Sequence, residues 1–338
     1  MSDTTEIVWQ THPAINRYEG NPILAAEDIP YEATLVFNAG VVKYEGRYVM
    51  VFRNDIADRD KGRVIRHNMG LAYSDDGIEW EPADKPLGAE PDHPLYGAID
   101  PRLNVLDGKV YLTYWINHRH PAGTGHGVRS GLAVTEDFEN WEVLHLSMPD
   151  NRNWVIFPER FDGKILSLQR PFPMYAHCRQ DFDMWICASP EGRYWGDAEL
   201  LLRTQDVPWV NDKIGPAHQP IRTEKGWFSF YHGVDVDDAR EGWGWRGNWK
   251  KRYSLGVMLQ DLENPRKVLG ISKQPVMVPE PEVDYEAHGY RDYVIFPGGA
   301  VLEDDGELKI YYGAADTVEC LAFAQIDELL ALCCDPIG

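Results

Sequence analysis

Apolar residues come along this chain in short alternating runs. Five times the same phrase returns: an apolar strand, a tight Gly turn, a second apolar strand, then a polar or charged residue near its end. The copies are FNAGVVKYEGRYVMVFRND (37–55), IDPRLNVLDGKVYLTYWIN (99–117), IFPERFDGKILSLQRP (156–171), HQPIRTEKGWFSFYHG (218–233) and IFPGGAVLEDDGELKIYYGAAD (295–316). β-Branched and aromatic residues alternate on both sides of Glu45-Gly46, Asp107-Gly108, Asp162-Gly163, Lys225-Gly226 and Asp305-Gly306, which predicts five antiparallel hairpins. Several copies run on into a third strand and a turn ending in Trp (GLAYSDDGIEW, GLAVTEDFENW, MWICASPEGRYW), so that a unit carries about four strands.

A unit of this kind cannot bury its faces alone. A sandwich of two stacked sheets is one way to cover them, but five similarly phrased units favour radial closure: an all-β, five-bladed β-propeller. Helical periodicity is confined to a short C-terminal stretch, where Leu329, Leu330 and Leu332 follow Asp327 and Glu328. No low-complexity linker interrupts residues 1–338, which are expected to form a single propeller domain.

Charge narrows the partners. A net charge of −21, from 54 acidic and 33 basic residues, repels nucleic acid phosphates and anionic lipid surfaces, so neither nucleic acid nor membrane is expected as a partner. MSDTTEIVWQTHPA lacks the basic head and apolar core of a secretory signal, and no apolar run reaches bilayer-spanning length. Five cysteines, with Cys333 and Cys334 adjacent, read as reduced thiols, and the expected compartment is the cytoplasm.

Matching ends of successive copies meet around one funnel in a propeller, which turns repeat phase into proximity. Asn38, Arg53, Asp55, Asp100, Arg102, Arg170, Lys213, His232 and Asp316 are thereby expected to face one cavity, and Arg152 lies just before the third copy. Hydrolysis of a glycoside with inversion uses two carboxyl groups roughly 6.5–9.5 Å apart, one as acid and one as base for water. Phosphorolysis needs the acid alone, because phosphate is already a nucleophile and calls for Arg, Lys and His donors instead. Asp100 with Arg152, Arg170, Lys213 and His232 fits the second design.

The runs VFNAGVV, VFRND, AIDPR, DNRNWVIFPER with LQRP, NDKIGPA, YHGV and YYGAAD, in that order, resemble glycoside hydrolase family 130, the inverting β-mannoside phosphorylases and related mannosidases. The resemblance extends from about Asn21 to Asp327. It implies a five-bladed propeller with the active site in the central funnel. It also implies that Asp100 is the proton donor, relaying its proton through the 3-hydroxyl of the bound mannosyl unit. Arg152, Arg170, Lys213 and His232 fall on the phosphate-binding positions, and Asn38, Arg53, Asp55, Arg102 and Asp316 on mannosyl-binding ones. The hydrolytic branch lacks the complete basic set, so the chain leans toward phosphorolysis of a mannosyl oligosaccharide or disaccharide, with β-1,4 linkage preferred. Inorganic phosphate is then a co-substrate, with no cofactor and no metal. A β-mannosidase using water and a non-catalytic carbohydrate-binding propeller are the alternatives.

Pro101 is expected to hold Asp100 in extended backbone. Nearby cations would lower the pKa of an acid that needs it raised, a tension that eases if Asp100 stands apart from the phosphate pocket. His118, His120 and His126 read as loop histidines near a sugar-binding rim rather than metal ligands. Trp243, Trp245 and Trp249, in GWGWRGNWKKRY, read either as an acceptor-side wall or lid, or as packing against a blade or a partner subunit. That loop and the C-terminal helix are the candidate interfaces of a homo-oligomer. Trp80, Trp141 and Trp195 read as packing residues at blade ends.

Overall fold

A computed structural model describes residues 6–117, 127–173 and 181–333. After a short first strand, β1 (Asn16–Arg17), the chain forms five sheets in series, each a blade of a propeller. Blade one holds β2 (Leu35–Tyr44), β3 (Arg47–Asp58), β4 (Arg63–Ser74) and β5 (Glu81–Pro82). Blade two holds β6 (Ala98–Leu106), β7 (Lys109–Asn117), β8 (Val128–Thr135) and β9 (Glu142–Leu146). Blade three holds β10 (Asn151–Phe161), β11 (Lys164–Pro171), β12 (Met184–Ser189) and β13 (Gly196–Leu202). In blade four the inner strand is split into β14 (Lys213–Pro216) and β15 (Ile221–Thr223), both paired with β16 (Gly226–Val236), followed by β17 (Lys251–Gln260) and β18 (Val268–Ile271). A one-turn helix α1 (Asp284–Ala287) precedes blade five, which holds β19 (Ile295–Leu302), β20 (Glu307–Ala314) and β21 (Val318–Gln325).

The five expected hairpins are the first two strands of each blade. At Glu45-Gly46, Asp107-Gly108 and Asp162-Gly163 both turn residues have positive φ, between 47° and 84°, the twist that matches a tight two-residue turn to its strands. The turns ending in Trp repeat as well. Ser74 Oγ accepts the Gly77 amide and Asp76 Oδ1 accepts those of Ile78 and Glu79, while Thr135 and Asp137 do the same in blade two. These turns lay Trp80, Trp141 and Trp195 onto neighbouring aromatic rings, as packing residues.

Inner strands carry the device that builds the centre. In blades one to three the pairing of the inner strand with its neighbour slips by a bulge, between Phe37 and Gly40, between Ile99 and Arg102, and between Arg152 and Val155. Asn38, Asp100 and Asn153 occupy the bulges with φ of 54°, 50° and 59°. Asn and Asp tolerate this left-handed conformation best among residues with a side chain. Asp100 is therefore not in the extended backbone expected from Pro101, because bulge geometry overrides the local preference of a residue before proline.

Closure is made by the two ends of the chain. β1 pairs antiparallel with β21 (Asn16↔Phe323, Arg17↔Ala322) and supplies the fourth strand of blade five. Arg17 fixes it: Nε and Nη2 donate to the two carboxylate oxygens of fully buried Glu286 at 2.8 Å, and Nη2 also donates to Val278 O at 2.8 Å. The expected C-terminal helix is α2 (Ile326–Leu332), whose Leu329 and Leu330 are buried in a cluster with Phe228, Val257 and Ile310. Its apolar face is thus spent inside the chain. Cys187 and Cys320 are buried thiols, and among the described residues no helix is long and apolar enough to cross a membrane.

Removing one member of a buried, hydrogen-bonded ion pair costs about 3 kcal/mol or more, because the other charge stays buried. Arg17→Met is expected to lower stability by about that amount, read as a drop in the urea midpoint at unchanged slope. A loss below about 1 kcal/mol would mean that the Arg17–Glu286 pair does not hold the ring shut.

Candidate active site

The bulges point three side chains at the axis, and around them opens a cavity lined by Asn38, Arg53, Asp100, Arg152, Asn153, Arg170, Lys213, Trp249, Tyr253, Arg291, Val294, Phe296 and Asp316. At the centre, Asp100 accepts from four donors. Asn38 Nδ2 and Arg53 Nη1 reach Oδ1 at 2.9 Å each, and Trp115 Nε1 and Arg152 Nη2 reach Oδ2 at 2.6 and 3.1 Å. Burial alone would raise the pKa of this carboxyl. Arg53, Arg152, the Asn38 hydrogen bond and Arg102 outweigh burial and hold it well below the usual carboxylate range. Asp100 is ionised in this state.

Asp55 stands behind Arg53. It grips the guanidinium through Nε and Nη2 (2.7 Å for the shortest contact) and also meets His67 Nδ1 at 2.6 Å, which leaves Arg53 Nη1 for Asp100. On the other side lies a group of cations. Arg170 and Lys213 both sit over the Phe182 ring, at 5.5 and 5.2 Å. Lys213 pairs with Asp212 at 3.0 Å, and burial with neighbouring Arg152 pulls Arg170 down to about 10, still protonated at neutral pH. Arg170 Nη1 and Asn153 Nδ2 face His232 Nε2 at 3.1 and 3.3 Å. Arginine can only donate, so Nε2 accepts and His232 is neutral. Its pKa is held well below the ordinary value by burial and by Arg170, Arg102, Lys213 and Arg152.

Of the residues picked from sequence, Asn38, Arg53, Asp100, Arg152, Arg170, Lys213 and Asp316 line this one cavity. Asp55 and His232 lie one layer back, fully buried, holding Arg53 and Arg170. Arg102 is elsewhere: its guanidinium donates to Ala217 O and Pro101 O at 2.5 and 2.8 Å and sits over the Phe296 ring, pinning blade two to blade four. Asp100 does not stand apart from the cations, because Arg152 spans the gap between it and Arg170. His118, His120 and His126 lie outside the described residues.

Six lining or contacting residues lie outside the sequence-based expectation: Trp115, Asn153, Tyr253, Arg291, Val294 and Phe296. Trp115 faces Ile99 across the hairpin as Arg53 faces Phe37 and Arg170 faces Arg152, so repeat phase held its signal. Asn153 likewise shares the bulge position of Asn38 and Asp100. Tyr253 lies on β17, the third strand of blade four, and Phe296 on β19 within the fifth copy, both without a charge to mark them, while Arg291 and Val294 lie between blades four and five, outside every copy. Tyr253 is partly buried; burial would raise its pKa, but Lys213, Arg170, Arg291 and Arg152 together lower it. The tryptophan loop divides its work. Trp243 and Trp249 pair through their backbones, Trp249 lines the cavity under Arg291, Trp243 packs on Tyr293, and Trp245 sits between Arg59 and Tyr290.

Bulge geometry has its own support. The carboxyl group of Glu319, on β21, accepts the Ala39 amide at 3.1 Å beside Asn38. Burial pushes Glu319 well above the ordinary range, against the pull of the Ala39 amide, Arg102 and the Asn38 amide, so the group is neutral.

The fold and site are those of a propeller whose central cavity joins Asp100 and Asp316 to a bank of cations. The family described as β-1,4-mannooligosaccharide phosphorylase matches residues 9–335, and the chain belongs to it: glycoside hydrolase family 130. It is 32% identical over 343 residues to a β-1,4-mannooligosaccharide phosphorylase of Ruminococcus albus, covering 96% of this chain and 93% of that one. It is 30% identical over 325 residues to a 1,2-β-oligomannan phosphorylase of a Thermoanaerobacter species, covering 93% and 98%. The solved β-1,2-mannobiose phosphorylase of Listeria innocua, in complex with β-1,2-mannobiose, superposes with a TM-score of 0.77 at 27% identity, over 94% of this chain and 99% of that one.

Glu319 yields a test of the support beneath the site. An acid whose folded pKa is raised stabilises fully below its unfolded pKa of about 4.3, and loses that contribution at about 1.4 kcal/mol per pH unit as pH rises toward the folded value. Glu319→Gln keeps a carbonyl acceptor for Ala39 and never ionises. Its stability relative to the parent is expected to rise steadily from pH 5 to pH 8 in urea titrations; parallel pH profiles would show that Glu319 is not held neutral.

Proposed function

We propose that this enzyme cleaves a β-mannoside with inorganic phosphate, releasing α-mannose 1-phosphate and a shortened acceptor. One observation carries the reading: Asp100 and the cations Arg152, Arg170 and Lys213 line the same cavity. The other carboxylate there, Asp316, pairs with Arg291 at 3.1 Å. A cationic bank opposite an acid suits a nucleophile that brings its own negative charge.

Phosphate sits among Arg152, Arg170 and Lys213, with His232 orienting Arg170. The mannosyl unit lies over Asn38, Arg53 and Asp316. A phosphate oxygen attacks the anomeric carbon from the face opposite the leaving group, which inverts it, while the bonding pair goes to the acceptor oxygen. Asp100 supplies the proton that this oxygen needs, relayed by the 3-hydroxyl of the mannosyl unit. Trp249 offers a ring face to the acceptor sugar. For the linkage we favour β-1,4, in keeping with the description of the matching family; the relatives named above divide between β-1,4 and β-1,2.

Products decide the matter. β-1,4-Mannobiose and β-1,2-mannobiose are each incubated with the enzyme, with and without phosphate. Mannose 1-phosphate is expected only with phosphate and faster from the β-1,4 substrate; free mannose at the same rate without phosphate would make water the nucleophile. Asp100→Asn is expected to lower kcat by about 10²–10⁴-fold, the usual contribution of a general acid. Lys213→Ala is expected to raise the KM for phosphate at least about tenfold, the loss of one charge-assisted hydrogen bond, and to leave the mannoside KM within about twofold.

A further inference from the structure

A carboxylate has about four lone-pair sites, and those of Asp100 are all taken. In this state it can neither carry a proton nor meet a sugar hydroxyl, so one donor has to leave before it can act as an acid. Three of the four are fixed. Arg53 is clamped by Asp55 and its side chain is only 9% exposed. Asn38 is buried in the bulge, and Trp115 is part of β7. Arg152 differs: its side chain is 28% exposed, its Nε has no partner, and among the described residues its one hydrogen bond goes to Asp100. Its guanidinium otherwise lies over the Trp115 ring at 4.1 Å, a contact along which it can slide. Ahead of it in the cavity are Arg170 and Lys213.

Resting on the phosphorolytic reading, we propose that Arg152 is a latch on the acid: it keeps Asp100 ionised and closed to the sugar until phosphate enters between Arg152, Arg170 and Lys213 and draws it off Oδ2. Oδ2 then takes up a proton from solvent, while Trp115 Nε1 still donates to it. The charged groups that face Asp100 are Arg53 from β3, with Asp55 behind it, Arg102 from its own strand, Arg152 from β10, Arg170 from β11 and Asp316 beyond β20. Removing Arg152 and adding the charge of phosphate both favour the protonated acid; Arg53 and Arg102 remain to limit the shift. During turnover the proton passes to the acceptor oxygen, Asp100 is left as the carboxylate, and Arg152 returns when mannose 1-phosphate departs. Without phosphate the acid is unprotonated, so the glycosidic bond is not spent on water.

Proton counting by calorimetry tests the latch. Inorganic phosphate, and sulfate as a dianion that does not titrate, are bound to the enzyme at pH 5.5 in buffers of different ionisation enthalpy. The parent protein is expected to take up at least about 0.5 proton per sulfate bound, and Asp100→Asn less than a third of that. Arg152→Gln, brought to saturation, is expected to take up less than half the parent value, since its Asp100 is no longer held by the guanidinium. Equal uptake by parent and Asp100→Asn overturns the latch while the binding heat still upholds the phosphate pocket. Absence of binding heat for either anion overturns the pocket, and the latch with it. Thermal unfolding confirms that each variant is folded before its protons are counted.

Discussion

Five twisted sheets that meet at one axis bring their inner strands together backbone to backbone, and this crowding governs everything at the centre. A Cβ on Gly40 would lie 2.5 Å from the Leu103 amide nitrogen, and one on Gly298 would lie 2.0 Å from Ala39 O. Main-chain atoms at such distances cannot yield, so the inner strands of blades one and five carry glycine where they touch a neighbour. The bulges are the second response to the same crowding. Each inserts one residue, bends the strand away from the axis and turns a side chain toward it. Asn38, Asp100 and Asn153 face the cavity because the chain has to leave the axis at those points.

Charge at the centre follows from that geometry. The whole chain is strongly acidic, yet its funnel gathers arginines and a lysine around one carboxylate. Burying so many ions is costly unless each is hydrogen-bonded to an opposite charge, and a chain of contacts runs from His67 through Asp55, Arg53 and Asp100 to Arg152. The chain ends there, among like charges without carboxylates of their own except the Asp212 partner of Lys213. On the proposed reading a dianion at that end would complete the pairing and tie phosphate recognition to the protonation of the acid through one guanidinium.

Much of the architecture was legible because it is local. Hairpins are written in period-two alternation and in Glu-Gly or Asp-Gly turns, the Ser/Thr-x-Asp turns and their tryptophans recur at a fixed phase, and α2 shows its leucines after two acids. The same phase places six of its nine residues, Asn38, Arg53, Asp100, Arg170, Lys213 and Asp316, on one cavity, and Trp115 and Asn153 share that phase. Arg102 has the right phase and a different place, since a long side chain one residue past the bulge reaches across the axis to Ala217 O instead of up into the cavity. β1 is not legible because two residues carry no period, Arg291 because it lies between blades, and Tyr253 because the third strand of blade four shows no phrase in common with the others.

Sequence alone determined the blade, the number of blades and the kind of chemistry, since strand alternation, turn residues and the choice of acid and cations are properties of short segments. Tertiary structure decided the state of that chemistry. Asp100 is an ionised group with every lone pair engaged because Asn38, Arg53, Trp115 and Arg152, up to 62 residues away in the chain, converge on it only once the ring has closed. A pKa is set by distances and by exclusion of water, and neither exists until the blades have packed.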